Sequence, residues 1–431
     1  MDRIILYKIV TKFTAADAKI QVPVAQQFFK KYFVITLFCL TGICSCTTHQ
    51  NQAAKTVNTD LTHLQFSVEE APEWTNLFYR KSGWFGGDGI FVLPQNGIDT
   101  ASENTAYTIL FSDTEIGEIE NNKPKPGYVM IHNSVATLQG AAPLEANLQF
   151  HWDKKTTGDA ESIFIPSTAA SRPGEYYWLG DGFVNQEINE DTYIFGYRIK
   201  DVPGANIFGF EQEGSTFIII PKGSKPPFTD QRQIDIPFFL QGKEVDDNTI
   251  YGSGILVNTA KAGMVNPDGY IYVYGVKGKN KELVVARVSP KNIEKFTAWK
   301  YWNGASWDND MQKAVAITNR VSNELSISPI GDGRYALVFQ VDGISTKLGL
   351  RLGASPVGPF GPIIELFDCK EAIESKKFFT YNAKAHPALS KAGELLVSYN
   401  VNSFDFHNDI KIYPNLYRPR FIRVKYQLNK Q

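Results

Sequence analysis

Two aspartates sit in near copies of one short motif, Asp88 in GWFGGDG (83–89) and Asp181 in YWLGDG (177–182). Asp113 closes the apolar run of LFSDTEIG (110–117), and Glu324 opens the apolar–polar alternation of SNELSI (322–327). An aspartate among glycines can be presented in an open site, because glycine lets the backbone approach a ligand closely. The plain alternative is an Asx-turn that only starts a strand, and the second copy at Asp181 weighs against it. Asp113 is costly to bury unpaired, so it must be solvated, hydrogen-bonded by Thr114 or backbone amides, or part of a site. Carboxylates gathered from separate segments are what glycoside cleavage needs. One activates water or attacks the anomeric carbon, and a protonated partner donates to the leaving oxygen. A third carboxylate raises the acid's pKa by like-charge repulsion. Asp88, Asp181 and Glu324 meet those demands in residue type.

Trp84, Phe85, Tyr176, Tyr177 and Trp178 immediately precede the two GDG turns. Aromatic faces there would stack on sugar CH surfaces, although Trp and Tyr are also ordinary strand and core residues. His132 and Asn133 in MIHNS (130–134), and Asn382 and His386 in YNAKAHP (381–387), place polar groups inside strand-like segments. A hydrogen-bonded core role is the default for each. As substrate-binding candidates, His386 is the strongest of the four. No spacing suggests a metal site and no cofactor is implied, while a structural Ca²⁺ at a funnel axis is compatible with the sequence. There is no phosphate-cradling glycine loop before a helix, no G-x-S-x-G and no Cys/His nucleophile pairing.

These residues are far apart, so a repeated architecture must gather them. Five segments look alike: GWFGGDGIFV (83–92), YWLGDGFV (177–184), IYGSGILV (250–257), SNELSISPI (322–330) and AKAHPALS (383–390). Most are followed by a second strand-like stretch, as in TYIFGYRI (192–199), GYIYVYGV (269–276) and GRYALVFQ (333–340). A loose all-strand repeat of about 60 to 95 residues reads as a propeller, whose first strands line one central funnel. Asp88, Asp181, Ser253, Glu324 and His386 would then converge. The expected fold is all-β, a single five-bladed β-propeller with blades at about 84–166, 176–240, 250–302, 322–367 and from Thr380 onward. In the first blade, strands are expected at 87–93, 105–113, 127–138 and 145–152, and LQFSVEEAP (64–72) would add the outer strand of the last blade. A pair of β-sandwiches is the rival, but it would not repeat the first-strand motif. Helical turns are expected only at 290–302 and 369–377.

The bulk composition agrees. Aromatics make up 13% of 431 residues, with 34 Gly and 22 Pro, which suits many short strands joined by tight turns. A net charge of −1 with the two signs interspersed gives no basic stripe for nucleic acid. Lys30 and Lys31 precede an apolar run (32–43) too short to span a bilayer, and the run ends in Ile43-Cys44-Ser45-Cys46. This pattern reads as a lipoprotein signal, with a leader over 1–45, lipidation at Cys46, a polar tether over 46–63 and the domain over 64–431. Cys44 fits worse, because Ile43 would fill a small-residue slot. An uncleaved membrane anchor is the alternative. After Cys46 only Cys369 remains, so the domain must rely on a large core, with Cys369 as a small buried hydrophobe.

GWFGGDG, LFSDTEIG, MIHNS, YWLGDG, WKYWNG (299–304), NELSI, ASPVGPFG (354–361), YNAKAHP and LLVSYNVN (395–402), in that order, resemble the bacterial lipoproteins of the domain families of unknown function 5005 and 4185. The resemblance spans about 74–426. These families are similar to five-bladed β-propeller glycosidases, including glycoside hydrolase family 43, and part of the 4185 group is linked to endo-acting cleavage of D-arabinan. The resemblance implies a general base at Asp88 and an assisting aspartate at Asp181. Asp113 falls where the families usually carry Gly-Asp-Thr, here Ser-Asp-Thr. The glutamate acid of the third blade has no counterpart, because YGSG (251–254) stands there and Glu324 comes one blade later. Either the acid has moved to Glu324, or Asp113 or Asp181 takes its role, or catalysis is absent. The expectation is an envelope-anchored glycoside hydrolase acting on a furanose- or pentose-containing, arabinan-like polysaccharide. A non-catalytic carbohydrate-binding propeller lipoprotein is the alternative. The expected partners are a poly- or oligosaccharide and, through the lipid, a membrane.

Overall fold

Period-two alternation builds this chain. In Tyr270–Lys277, Ile271 and Val273 point to one side and Tyr272 and Tyr274 to the other, and both sides are buried. Such a strand is apolar on both faces because a sheet packs against each of them. A computed structural model of the chain describes residues 60–203, 209–373 and 375–428. Within them the protein is all-β, with helix limited to single turns. The stretches expected to be helical form 3₁₀ turns at Pro290–Asn292, Phe296–Ala298 and Cys369–Ala372.

Among the described residues there are seven antiparallel sheets, and five of them, of four or more strands each, follow one another along the chain. The first holds Phe91–Pro94, Ala106–Phe111, Ser134–Gln139 and Leu148–His151. The second holds Glu175–Val184, Thr192–Asp201, Phe210–Ile220 and Arg232–Ile236. The third is built on Thr249–Asn258, Tyr270–Lys277 and Glu282–Val288, with short strands added at both edges. The fourth holds Leu325–Pro329, Tyr335–Gln340, Lys347–Gly353 and Ile364–Asp368. The fifth runs Phe378–Ala385, Glu394–Ser403, Arg420–Gln427, and is completed by Gln65–Glu70 from the other end of the chain, in register from Gln65↔Gln427 to Glu70↔Ile422. The outer strand expected from 64–72 is therefore present.

The apolar core is divided into five clusters, one between each pair of neighbouring sheets. Leu110 and Val135 of the first sheet meet Tyr177 and Ile218 of the second, and Phe195 and Phe217 meet Val273 and Val284 of the third. Tyr272 and Val285 meet Leu337 and Phe339 of the fourth, and Val338 and Leu350 meet Val397 and Val424 of the fifth. The cycle returns where Leu396 and Phe421 pack on Ile109 and Ala136 of the first. The arrangement is β-propeller-like. Cys369 is a buried free thiol in the cluster between the fourth and fifth sheets.

Side chains latch the innermost strands to one another. Ser112 Oγ accepts from Leu179 N–H (2.9 Å), Asp181 Oδ2 from Ile255 N–H (2.7 Å) and Ser326 Oγ from Ala385 N–H (2.8 Å). Asn400 Nδ2 donates to Gly87 O (3.3 Å) across the closing step. Between the third and fourth sheets Gly254 lies against Leu325, where a Cβ would come within 2.9 Å of its carbonyl oxygen.

The strand expected at 87–93 is broken. Ser82–Gly87 pairs with Thr114–Glu120 in a small side sheet, whereas Phe91–Pro94 pairs with Ala106–Phe111 in the first sheet. Both strands change sheets at Asp88 and Ser112–Asp113, and Ser112 N–H to Asp88 O (2.9 Å) ties the crossing. Gly89, at φ +67°, permits the turn, and any side chain there would collide with Ser112. The leader and Cys46 lie outside the described residues. The end of the expected tether does not hang free, because Arg334 Nη1 donates to the Asp60 and His63 carbonyls (2.6 and 2.9 Å).

Candidate active site

Inner strands of the second, third and fifth sheets each slip register once, between Leu179 and Gly182, Tyr251 and Gly254, and Tyr381 and Lys384. A bulge of this kind re-aims one side chain off the ladder. Here it affects Asp181 and Ser253, which the repeated motif marks, and in the fifth sheet Asn382, whereas the motif marked His386 there. The first sheet contributes Asp88 and Asp113 instead from its crossing point, and the fourth contributes Glu324 just before Leu325–Pro329.

Asp88 accepts a hydrogen bond from the Tyr381 hydroxyl on Oδ2 (2.6 Å), and its Oδ1 is buried with no protein partner among the described residues. Burial first, then the charges of Asp113 and Glu324, push its carboxyl up to about 8, against the pull of the Tyr381 and Tyr417 hydroxyls. Asp113 is held differently. Its Oδ1 accepts from Trp178 Nε1 (2.9 Å) and pairs with His132 Nδ1 (3.0 Å). The His132 ring stacks on Tyr176 with centroids 3.6 Å apart, and Trp178 packs edge-on to Phe210. Glu324 is ion-paired through Oε2 with Lys384 Nζ (2.6 Å) and accepts from Asn382 Nδ2 on Oε1 (2.8 Å). Its carboxyl is raised by burial, with Lys384 opposing. Lys384 is itself buried and lies over the Phe91 ring at 4.6 Å, which joins the fourth, fifth and first sheets.

Asp181 stands one step aside. Both of its oxygens accept backbone N–H groups, from Gly182 (2.8 Å) and Ile255 (2.7 Å), while burial raises it to about 7. Much of its work is therefore latching two sheets. Asp88, Asp113, Glu324 and Asn382 come together as expected, and so do His132 and Trp178. Ser253 is buried beside Tyr197, whose hydroxyl also feels Glu324 and Asp181.

Three candidates are corrected. Trp84 is a core residue, 1% exposed and stacked on Phe150 at 4.6 Å, because its strand turns into the side sheet. Phe85 and Tyr177 are buried with it, leaving Tyr176 and Trp178 as the accessible aromatics of the five. Asn133 is fully buried and bridges backbones, donating to Phe164 O and Tyr177 O and accepting from Phe164 N–H. His386 is buried against Ser398 (2.7 Å), and burial, with Lys384 nearby, holds its ring down at about 3, neutral in ordinary solution. Its ring is turned to Ser398 and Phe421 of the same sheet. Sequence reasoning missed Lys384, Tyr381, Tyr417 and Asp99. Tyr381 and Lys384 flank the bulge within YNAKAHP, so that motif carried the signal. Asp99 lies in an exposed loop, and its charge reaches Asp181. Among the described residues no group of three or more His, Cys, Asp and Glu side chains is disposed to hold a metal ion.

The sequence matches the family Domain of unknown function (DUF5005) across residues 72–426. The chain belongs to DUF5005. No curated protein matches this DUF5005 chain. Among solved structures it is similar to a candidate hydrolase from Bacteroides ovatus, at 20% identity and a TM-score of 0.64, with 85% of this chain and 97% of that chain covered. That likeness carries the fold. Weaker likenesses include an alpha-L-arabinofuranosidase from Clostridium thermocellum (12% identity, TM-score 0.40, 72% and 82% covered) and an endo-arabinase from Bacteroides thetaiotaomicron (11%, 0.39, 79% and 98%).

The raised carboxyls have a consequence for this DUF5005 domain that can be measured. Asp88 at about 8, Asp181 at about 7 and Glu115 at about 7 hold protons in the native state that the unfolded chain has released. Native therefore binds more protons, and stability falls as pH rises. His386 opposes this only below its unfolded value of 6.5. Urea midpoints should decline between pH 6.5 and 8, and a rise over that window would contradict the buried-carboxyl assignment.

Proposed function

We propose that this protein is a glycoside hydrolase built as a single five-bladed β-propeller, with Asp88 and Asp113 as its acid–base pair. The observation that carries the reading is that Asp88 and Asp113 stand together at the sheet crossing, the Asp88 N–H donating to Asp113 O (3.3 Å), with burial and the charges of Asp113 and Glu324 pushing the Asp88 carboxyl up to about 8. A proton donor tuned near the working pH and an adjacent acceptor are what acetal cleavage requires. In the step proposed, Asp88 gives its proton to the leaving oxygen as the glycosidic bond breaks. Asp113, oriented by His132 and Trp178, takes a proton from the attacking water or itself attacks the anomeric carbon. This reverses the base role that the family resemblance implies for Asp88, and it supplies the acid missing from the third blade. The charge of Glu324 adds to the forces that keep the Asp88 carboxyl raised. The likeness to a candidate hydrolase is in keeping with this reading.

An arabinan-like, furanose- or pentose-containing polysaccharide is the proposed substrate, on the resemblance of the motifs quoted above. The test is hydrolysis of a panel of arabinans, arabinogalactans and other plant and microbial glycans, with Asp88→Asn as the silent control. Cleavage of none of them would remove the proposal. The second reading, a carbohydrate-binding propeller without catalysis, is favoured by one feature: Asp181 and Glu324 are already committed to backbone N–H groups and to Lys384. Binding in the same panel without product would select it.

We also propose that residues 46–59 tether the domain to a cell-envelope membrane through a lipid on Cys46. Fatty-acid labelling in cells should mark the wild type and not Cys46→Ser. Label persisting in that variant, or a mature chain that retains residues 1–45, would exclude it.

A further inference from the structure

We infer that a chain of hydrogen bonds from Ser403 through Asn402 and Tyr381 fixes the acid proton of Asp88 on Oδ1, which makes Tyr381 and Asn402 positioning residues for proton donation to the leaving oxygen. The inference rests on the hydrolase reading and deepens it by naming the atom that gives the proton. Donor and acceptor chemistry carries it. A backbone N–H can only donate, so the Asn402 atom facing Ser403 N–H at 2.7 Å is the carbonyl Oδ1. The other end of that amide, Nδ2, can only donate, and it reaches the Tyr381 hydroxyl at 3.3 Å. A phenol has one proton. With the Tyr381 oxygen accepting from Asn402, that proton turns to Asp88 Oδ2, 2.6 Å away. Oδ2 is therefore the accepting oxygen of the carboxyl, and its own proton stands on Oδ1.

The fold holds every member of the chain. Tyr381 lies opposite Asn400 on the neighbouring strand, and Asn402 is its diagonal neighbour on the same face. Asn382, at φ +60°, takes the left-handed conformation that asparagine tolerates and begins the slip just after Tyr381. The backbone at Asp88 is tied as well, by Gly87 N–H to Tyr417 O (2.6 Å), Asn400 Nδ2 to Gly87 O (3.3 Å) and Asp88 N–H to Asp113 O (3.3 Å). Burial, then the charge of Asp88, keeps the Tyr381 hydroxyl protonated well above its usual range, so it remains a donor. The other groups that act on Asp88 are the charges of Asp113 and Glu324, which raise its carboxyl, and the Tyr417 hydroxyl, whose pull is smaller than that of Tyr381. Oδ1 has no protein partner among the described residues, which leaves its proton to a ligand oxygen. As that proton passes to the leaving oxygen, the O–H electrons stay on the carboxylate. The bond from Tyr381 then becomes charge-assisted and strengthens.

The test follows the C=O stretch of the protonated Asp88 carboxyl by infrared difference spectroscopy through a pH titration, with Asp88→Asn identifying the band by its loss. In Tyr381→Phe the stretch should move to higher frequency, because Oδ2 loses the hydroxyl that donated to it. The carboxyl should also keep its proton to higher pH, since a donor that favours the charged form is gone. On arabino-oligosaccharides kcat should fall about tenfold, part of what a positioned acid supplies, with KM little changed and the basic limb of the pH profile moved up. Asn402→Leu leaves the hydroxyl unaligned and should move the stretch the same way by less. It also carries the test if Tyr381→Phe does not fold. A stretch that stays in place in Tyr381→Phe puts the proton on Oδ2 and overturns the inference. So does Asn402→Leu with the wild-type stretch, or an active Tyr381→Phe enzyme that loses kcat equally at every pH, as a merely structural role would give. If the wild type cleaves no glycan, the hydrolase reading fails and takes the catalytic role of the chain with it, while the stretch still decides which oxygen bears the proton.

Discussion

Replacing Asp88 by Asn should lower glycan hydrolysis by about 10²–10⁴-fold, the contribution of a positioned proton donor, without loss of folded structure. The two effects part company because the carboxyl is itself a burden on the native state. It is raised to about 8 by burial and by the neighbouring charges of Asp113 and Glu324, and one of its oxygens is buried with no protein partner among the described residues. An amide keeps the shape and still accepts from Tyr381, yet it never ionises. Thermal midpoints should therefore hold steady or rise above neutral pH, and the decline in stability between pH 6.5 and 8 should flatten. An active Asp88→Asn enzyme would remove the catalytic assignment. An inactive but unfolded one would show that the residue is structural first, and circular dichroism separates the two.

Lys384→Met should cost stability heavily. The lysine side chain is 2% exposed, its ammonium lies 2.6 Å from Glu324 Oε2, and it donates to Asn382 O at 3.1 Å. Removing one partner of a buried pair strands the other, at about 3–5 kcal/mol. Glu324 would then have to take up a proton or draw water into the axis. Methionine preserves most of the stem that packs on Phe91, so the loss reports the charge more than the volume. The double variant Lys384→Met/Glu324→Gln should recover much of that loss, since neither charge is then left alone. Urea denaturation of the four members of this cycle measures the coupling. A single-variant loss under about 1 kcal/mol would mean that the pair is solvated and contributes little.

Much of the architecture was legible because each sheet repeats the same local instructions. Apolar runs such as YIYVYGV and ELVVARV can only be strands buried on two sides, and in the second and third sheets the motif residues Asp181 and Ser253 stand where the ladder slips. That is why Asp88 and Glu324 could be gathered from positions far apart in sequence, whereas Asp113 and Asn382 stood out only as polar residues within strand-like segments. Trp84 could not be placed, because periodicity does not reveal that a strand changes sheets at GGDG, and a one-residue offset reverses which side chains face inward. His386 and Asn133 looked like site residues because they are polar in apolar surroundings. Their partners, Ser398 and the Phe164 and Tyr177 backbones, are tertiary neighbours invisible in the local sequence. Lys384 was hidden for the converse reason. A lysine inside a strand ordinarily reads as a solvated edge, and only the fold shows it delivered to a buried glutamate.

The pairing of Gln65–Glu70 with Arg420–Gln427 sets a condition on biosynthesis. The first strand of the domain to leave the ribosome has no hydrogen-bonding neighbour until the last one emerges. Joining ends this far apart costs about 5 kcal/mol of chain entropy before any contact repays it. The nascent chain must therefore wait with one flank of its final sheet unmade, exposed to handling by chaperones, and a polypeptide cut short before Arg420 would lack the piece that both termini need.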